Sequence, residues 1–268
     1  MPIYDSFNRK LNYLRISVTD RCNLRCTYCM PEQGVSLIPH KKILTFEEIV
    51  EFTRVAVSMG VDKVRITGGE PLVRKGVVNL VSMLASLQGI KDLSMTTNGV
   101  LLDQFAEPLA RAGLHRVNIS LDTLNPAKFL EITRVGTLED VLRGIEAAQK
   151  AGLSPVKINC VIKKSPLEPD AVEVARYSRE HGLKVRYIKE MDLGKGTFSQ
   201  VIGGEGGKCS SCNRLRLTAD GKLKPCLFSD LAFDIRELGF EKAIMIAAGR
   251  KPASGERNLS NKFNNIGG

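Results

Sequence analysis

The sequence contains no tryptophan, three histidines and only 6% aromatic residues among its 268. Acidic residues are also short, 29 against 39 Lys and Arg, which leaves a net charge of +10. That balance favours an anionic partner: a nucleic acid, a membrane surface or a phosphorylated metabolite. The aromatic scarcity counts against the first. Single-stranded nucleic acid is gripped by rings interleaved with basic residues, and neither that pattern nor a recognition motif is present. No apolar run approaches the ~20 residues of a membrane span. Residues 1–14 are interrupted by Asp5, Arg9 and Lys10 and hold no signal-peptide apolar core. These absences predict a soluble, cytoplasmic protein with neither membrane nor nucleic acid as partner. At 43% hydrophobic, the chain is not low-complexity disorder, and its length suits one large domain or two small ones.

What is present is a repeat of one pattern through the first two-thirds: a short β-branched run, a turn, then a capped amphipathic helix. Strands are predicted at Tyr13–Val18, Lys63–Thr67, Asp92–Thr96, Arg116–Leu121, Val156–Ile162 and Lys184–Lys189. Between them, Thr45 and Glu48 form a capping box that opens a helix running to Gly60. Further helices are predicted over 76–88, over 102–112 with a kink at Pro108, after Asn125-Pro126, over 138–151 and over 169–181. The alternation predicts an α/β fold, a parallel sheet or partial (βα)6 barrel, with its chemistry at the C-terminal ends of the strands. The pattern stops at Asp192. Residues 192–208 hold six glycines, a flexible-linker composition, and a polar, poorly patterned region follows.

Seven cysteines in a reducing compartment point to metal or catalysis rather than disulfides. Cys22, Cys26 and Cys29 form C-x3-C-x2-C directly after the first strand; Cys209, Cys212 and Cys226 form C-x2-C-x13-C. Structural zinc takes four protein ligands, neither triplet has a fourth nearby, and His40 and His115 are not at ligand spacing. Three thiolates suit a [4Fe–4S] cluster with one iron left open, so two triplets predict two clusters. A zinc knuckle drawing on a distant ligand is the competing reading of the second triplet. Cys160 lies on a predicted strand and reads as a small buried hydrophobe. Arg214 and Arg216 alternate on a predicted strand, so both point to one face and offer planar donor forks to phosphate. A solvated charged face is the alternative there.

The segments C-N-L-R-C-T-Y-C-M-P from Cys22, R-I-T-G-G-E-P-L from Arg65, T-T-N-G from Thr96, N-I-S-L-D-T-L from Asn118 and C-S-S-C-N-R-L-R-L-T-A-D-G-K-L-K-P-C-L-F from Cys209 carry a resemblance. Together they resemble the GTP 3′,8-cyclase family of the radical S-adenosylmethionine (SAM) superfamily, which opens molybdenum cofactor biosynthesis. The terminal Ile266-Gly267-Gly268 matches that family's double glycine. The resemblance implies a lyase with two [4Fe–4S] clusters and SAM as cofactors. Cys22, Cys26 and Cys29 would hold the cluster that cleaves SAM to a 5′-deoxyadenosyl radical, and Cys209, Cys212 and Cys226 the auxiliary cluster. Tyr28, Gly68, Gly69, Glu70, Ser120 and Met191 match SAM-binding positions. Arg15, Arg65, Thr96, Lys157, Arg214 and Arg216 match GTP-contact positions, and Arg186 matches an active-site arginine. The family reaction abstracts hydrogen from the ribose C3′ of GTP and joins C3′ to guanine C8. Its product passes to cyclic pyranopterin monophosphate synthase, and an electron donor such as flavodoxin or ferredoxin is implied. Assembly as monomer or homodimer stays open.

Three regions follow: a barrel over 1–191, a Gly-rich bridge over 192–208 and a small iron–sulfur region over 209–268. The bridge departs from the family, which carries a longer segment between the Met191 position and the second cysteine group. Two rivals compete with the cyclase reading. One is a radical SAM modifier of a peptide or other small molecule; the arginine pair and terminal glycines count against it. The other is a non-enzymatic iron–sulfur or nucleotide-binding regulator, against which the retained Gly68-Gly69-Glu70 speaks.

Overall fold

The computed structural model describes residues 2–260 and 263–266. The double glycine Gly267-Gly268 lies outside the described residues.

Six parallel strands carry the first part of the chain: β1 (Tyr13–Ser17), β2 (Lys63–Thr67), β3 (Asp92–Thr97), β4 (Arg116–Ser120), β5 (Lys157–Ile162) and β6 (Lys184–Lys189). The crossovers are α1 (Phe46–Ser58), α2 (Val77–Ala85), α3 (Leu102–Arg111), the pair α4 (Pro126–Thr133) and α5 (Leu138–Lys150), and α6 (Pro169–Glu180). Each strand pairs with its sequence neighbour, as right-handed βα units require. The capping box forms: the Glu48 amide donates to Thr45 Oγ1 at 3.2 Å and the Thr45 amide to Glu48 Oε2 at 2.7 Å. Asn125 caps α4 by accepting from the Lys128 amide, and α3 runs through Pro108 to Arg111.

Strand alternation decides what faces where. In β1, Leu14 and Ile16 are fully buried, as are Val64 and Ile66 in β2. These residues pack in the main core with Phe52 of α1 and Leu80 of α2. Burying each such side chain stabilises by about 1.5–3 kcal/mol. The intervening residues, Tyr13, Arg15, Lys63 and Arg65, line the inside of the curved sheet.

After β6 the chain departs from its sequence pattern. β7 (Arg214–Leu217) returns to pair in parallel with β1, and β8 (Lys222–Lys224) and β9 (Phe233–Asp234) follow antiparallel. One nine-stranded sheet results, in the order β6-β5-β4-β3-β2-β1-β7-β8-β9. The region that looked poorly patterned contains α7 (Ile235–Leu238), α8 (Phe240–Gly249) and the short α9 (Phe263–Ile266). α8 buries Ala243, Ile244, Ala247 and Ala248, and Phe240 meets Phe52 edge-on with centroids 5.7 Å apart. Small alanines hide this helix from a reading based on large apolar residues.

The expectation of a flexible linker over 192–208 is corrected. Tyr187 of β6 exchanges backbone hydrogen bonds with Ile202 (2.9 and 3.0 Å), and Asp192 does so with Thr197 (3.0 and 2.9 Å). The segment is a strap along the outer edge of β6, which covers an otherwise unpaired strand. Its glycines serve close approach: at Gly207, φ is +77° and a Cβ would lie 2.1 Å from the Ser199 carbonyl oxygen. Among the described residues no helix is long and apolar enough to cross a membrane.

Candidate active site

The first cysteine loop leaves β1 and is bound from two sides. The Gly69 amide donates to the Thr19 carbonyl at 2.7 Å and the Glu70 amide to the Arg21 carbonyl at 2.8 Å. A Cβ at Gly69 would lie 2.2 Å from the Arg21 oxygen, so these glycines admit the cysteine loop's own backbone as well as any ligand. On the other side, the Arg25 and Thr27 amides donate to the Thr133 and Ile132 carbonyls at the end of α4. Arg134 reaches over from the same end to the Arg25 and Met30 carbonyls.

Glu70 is 1% exposed, and its carboxylate accepts from the Leu72 amide, Thr97 Oγ1 and the Asn98 amide at 2.7–3.0 Å. Its hydrogen bonds thus go to the turn after β3, where Asn98 in turn donates to Asn23 beside Cys22. Burial raises the Glu70 carboxyl to about 7. Tyr28 donates to Asp122 Oδ2 at 2.8 Å, and Asp122 Oδ1 accepts from the Val161 amide at 2.7 Å. Ser120, Asp122, Tyr28 and Cys26 share a small cavity of about 30 Å³. Burial pushes the Cys22 thiol up to about 11 and the Cys26 and Cys29 thiols to about 12. Metal ligation demands thiolates, so a bound cluster must supply the charge that holds these protons off. Among the described residues no three His, Cys, Asp or Glu side chains converge as ligands of one metal ion. A cubane takes each thiolate on a different iron, and three unpaired cysteines on one half-buried loop suit it.

The second triplet opens onto a cavity of about 490 Å³ inside the barrel, within the ordinary range for small-molecule sites. Cys209, Cys212 and Cys226 form part of its wall. The same lining carries a row of cations that begins beside them. Sheet register puts Arg216, Arg15 and Arg65 abreast on β7, β1 and β2, with Ser94 and Arg116 continuing the row on β3 and β4. Lys157, Arg186 and Arg214 join them, so nine Lys and Arg against two carboxylates line the cavity. The Tyr13 ring lies between two guanidiniums, Arg65 at 5.4 Å and Arg214 at 5.6 Å. Desolvation, and then like charge from neighbours, lowers Arg65 and Arg216 to about 10 and Lys157 to about 8, and drives Arg15 well below its ordinary value. The hydroxyls of Tyr13 and Thr96 are buried in this lining without a hydrogen-bond partner among the described residues. A cavity of this kind accepts a polyanion that carries additional acceptors.

The structure brings Arg15, Arg65, Thr96, Lys157, Arg186, Met191, Arg214 and Arg216 together around this one cavity. The chemistry was expected at the C-terminal ends of the strands; Arg15 and Arg65 instead stand mid-strand inside the barrel, because alternation in five-residue strands sends every second side chain inward. Thr96 lies on β3 as expected, and the strand runs one residue further, to Thr97. Sequence reasoning missed Tyr13, Asn159 and Arg116, which also line the cavity. Arg116 is held by Asp92 through two contacts at 2.9 and 2.5 Å. The alternation R-V-N-I-S in β4 was the available signal.

A family profile described as "Radical SAM superfamily" matches residues 16–178. Among solved structures, SuiB of Streptococcus suis bound to S-adenosylmethionine superposes with a TM-score of 0.64 at 17% identity, covering 92% of this chain and 66% of that one. Native anSMEcpe with bound AdoMet gives 0.62 at 16% identity, covering 90% and 81%. The protein is thus of the radical SAM class, a class that implies one [4Fe–4S] cluster and SAM. A second profile, "Molybdenum Cofactor Synthesis C", matches residues 205–243. The GTP 3′,8-cyclase of Thermodesulfovibrio yellowstonii is 44% identical over 280 positions, with 87% of each chain covered. That of Moorella thermoacetica is 45% identical over 277, with 87% of this chain and 86% of the relative covered. The chain belongs to the GTP 3′,8-cyclase family. Both alignments are longer than the chain's own 268 residues, so these relatives carry internal positions that it lacks.

Proposed function

We propose that the protein converts GTP to 3′,8-cyclo-7,8-dihydro-GTP, the first step of molybdenum cofactor biosynthesis. The carrying observation is the cavity itself: four arginines in register on β7, β1, β2 and β4, sharing one lining with a cysteine triplet inside a SAM-type barrel. Residues 1–191 supply the SAM site, 209–268 the auxiliary cluster, and 192–208 one wall between them. Cys22, Cys26 and Cys29 would hold the first cluster, which would supply the electron for reductive cleavage of SAM. Tyr28, fixed by Asp122, and Ser120 bear on SAM, with Gly68, Gly69 and Met191 completing its surroundings and Glu70 holding the adjoining turn.

Arg15, Arg65, Lys157, Arg214 and Arg216 neutralise the triphosphate, about −4 in charge, and Arg186 joins them from β6. Thr96 offers its unpartnered hydroxyl to the nucleotide. Cys209, Cys212 and Cys226 would hold a second cluster, which would supply a metal site in the wall of the nucleotide cavity. On the strand side the lining is buried at Arg65 and Arg216, which keeps water from that face of the bound nucleotide. The product is the substrate of cyclic pyranopterin monophosphate synthase, and flavodoxin or ferredoxin supplies the electron in the cytoplasm.

The test is anaerobic reconstitution followed by dithionite, SAM and GTP. 5′-Deoxyadenosine should appear together with a cyclised nucleotide. SAM cleavage without that nucleotide would move the reading to a peptide or small-molecule modifier, and no cleavage at all to a regulator.

A further inference from the structure

Lys251 follows α8 in a stretch without sequence pattern, yet it is only 3% exposed. Its ammonium donates to the Arg214 carbonyl at 2.9 Å and to the Pro225 carbonyl at 2.5 Å. Arg214 stands two residues after Cys212, and Pro225 directly precedes Cys226. One side chain therefore ties together the two segments that carry those cysteines. The adjoining residues complete the clasp. Arg9 donates to the Pro252 carbonyl at 2.6 Å, to the Ala253 carbonyl at 2.9 Å and to the Cys209 carbonyl at 2.8 Å. Arg9 is itself anchored by Asp5 at 2.5 Å.

A buried ammonium is costly unless hydrogen-bonded and charge-compensated. Two carbonyls, on the segments of Cys212 and Cys226, accept two of its three protons, and those two cysteines are its sulfur neighbours, while Arg9 lies within reach as a like charge. Buried lysine beside two cysteines makes physical sense when those cysteines are thiolates.

We propose that Lys251 is the positioning residue of the second metal site: it holds the Cys212 and Cys226 segments in register and supplies the fixed positive charge that their thiolates require in a bound iron–sulfur cluster. This rests on the two-cluster reading above. A fixed cation beside a cluster favours the reduced, more negative state, so it raises the reduction potential.

The test compares reconstituted full-length protein with Lys251→Met, which keeps the stem and removes the charge, and Lys251→Arg, which keeps the charge. Iron per chain and EPR-monitored reduction potentials are the readouts. Wild type should hold about eight irons, four per cubane. Lys251→Met should either fall to about four or keep both clusters with the second reduced at a lower potential, while the first cluster's SAM-dependent signal persists. Lys251→Arg should restore iron content and potential; if Lys251→Met does not fold, that restoration decides the matter. Wild type with only about four irons overturns the two-cluster reading itself. Wild type with eight and Lys251→Met unchanged in iron and potential, or Lys251→Arg as impaired as Lys251→Met, overturns the role of Lys251 alone.

Discussion

The two cysteine triplets sit in opposite electrical surroundings. Around the first, burial dominates, and the charged groups that act on it include the carboxyls of Glu70 and Asp122; all three thiols lie far above their ordinary value. Around the second, burial works on the Cys212 and Cys226 thiols in the same sense, but Lys251, the Arg214 amide and the Arg214 and Arg216 guanidiniums bring Cys212 below its ordinary value. Cys226 stays raised by burial, with Lys251 working against the rise. Two carboxyls act on the first group of thiols, and an ammonium and two guanidiniums on the second, so one sheet holds two cysteine groups in fields of different sign.

The strongest way to break this contrast is to remove a thiol from each side. Replacing Cys22, Cys26 or Cys29 by alanine should abolish 5′-deoxyadenosine formation, read by chromatography after dithionite reduction. Cys212→Ala should leave SAM cleavage and lose the nucleotide product. Cleavage surviving in any of the first three variants would sink the assignment of the first loop. Next in size, Arg216→Ala should weaken nucleotide binding by roughly tenfold to a hundredfold, the loss of a charge-assisted hydrogen bond worth about 1.5–3 kcal/mol. Calorimetric titration with GTP checks it, and uncoupled SAM cleavage should persist.

Gly69→Ala sharpens the first side. Its Cβ would collide with the Arg21 carbonyl at 2.2 Å, so about 1–3 kcal/mol of stability should go, with iron lost from the first site before the barrel melts. Thermal unfolding and iron analysis read both.

The smallest effect is a pH dependence on the second side. Ligand-free Lys157 is lowered to about 8 by desolvation and then by Arg186, Arg116 and Arg65, so it loses its proton as pH rises through 8. A bound triphosphate favours the charged form and raises it again. Between about pH 7.5 and 8.5, binding should take up a growing fraction of a proton and weaken a few-fold as pH rises. Titrations in buffers of different ionisation enthalpy measure that proton; none taken up at pH 8.5 would remove Lys157 from the anion site.

Most of the barrel was legible because its signals are local. β2 and β6 begin and end at the residues their β-branched runs mark, and Thr45 with Glu48 fixed the start of α1. The cysteine spacings and the Arg214/Arg216 alternation led to one cavity wall for the same reason. What stayed hidden depends on distant pairing. Nothing near Arg214 says that β7 joins β1, a residue some two hundred positions earlier, and α8 conceals its buried face among alanines. Lys251 shows no periodicity at all; only the carbonyls of Arg214 and Pro225 reveal it. The glycines of 192–208 read as freedom because composition cannot distinguish a loose chain from a tightly turned one.

That strap has a consequence of its own. It is tied to the edge of the sheet at Tyr187 and Ile202 and closes on itself at Asp192 and Thr197, and none of the arginine row stands on it. Yet Ser199, Val201 and the glycines from Gly203 to Gly207 line the cavity, and Gly204 lies against the Arg186 side chain. The container therefore has two makers: paired strands set its charge, and a glycine-rich ribbon sets its remaining contour.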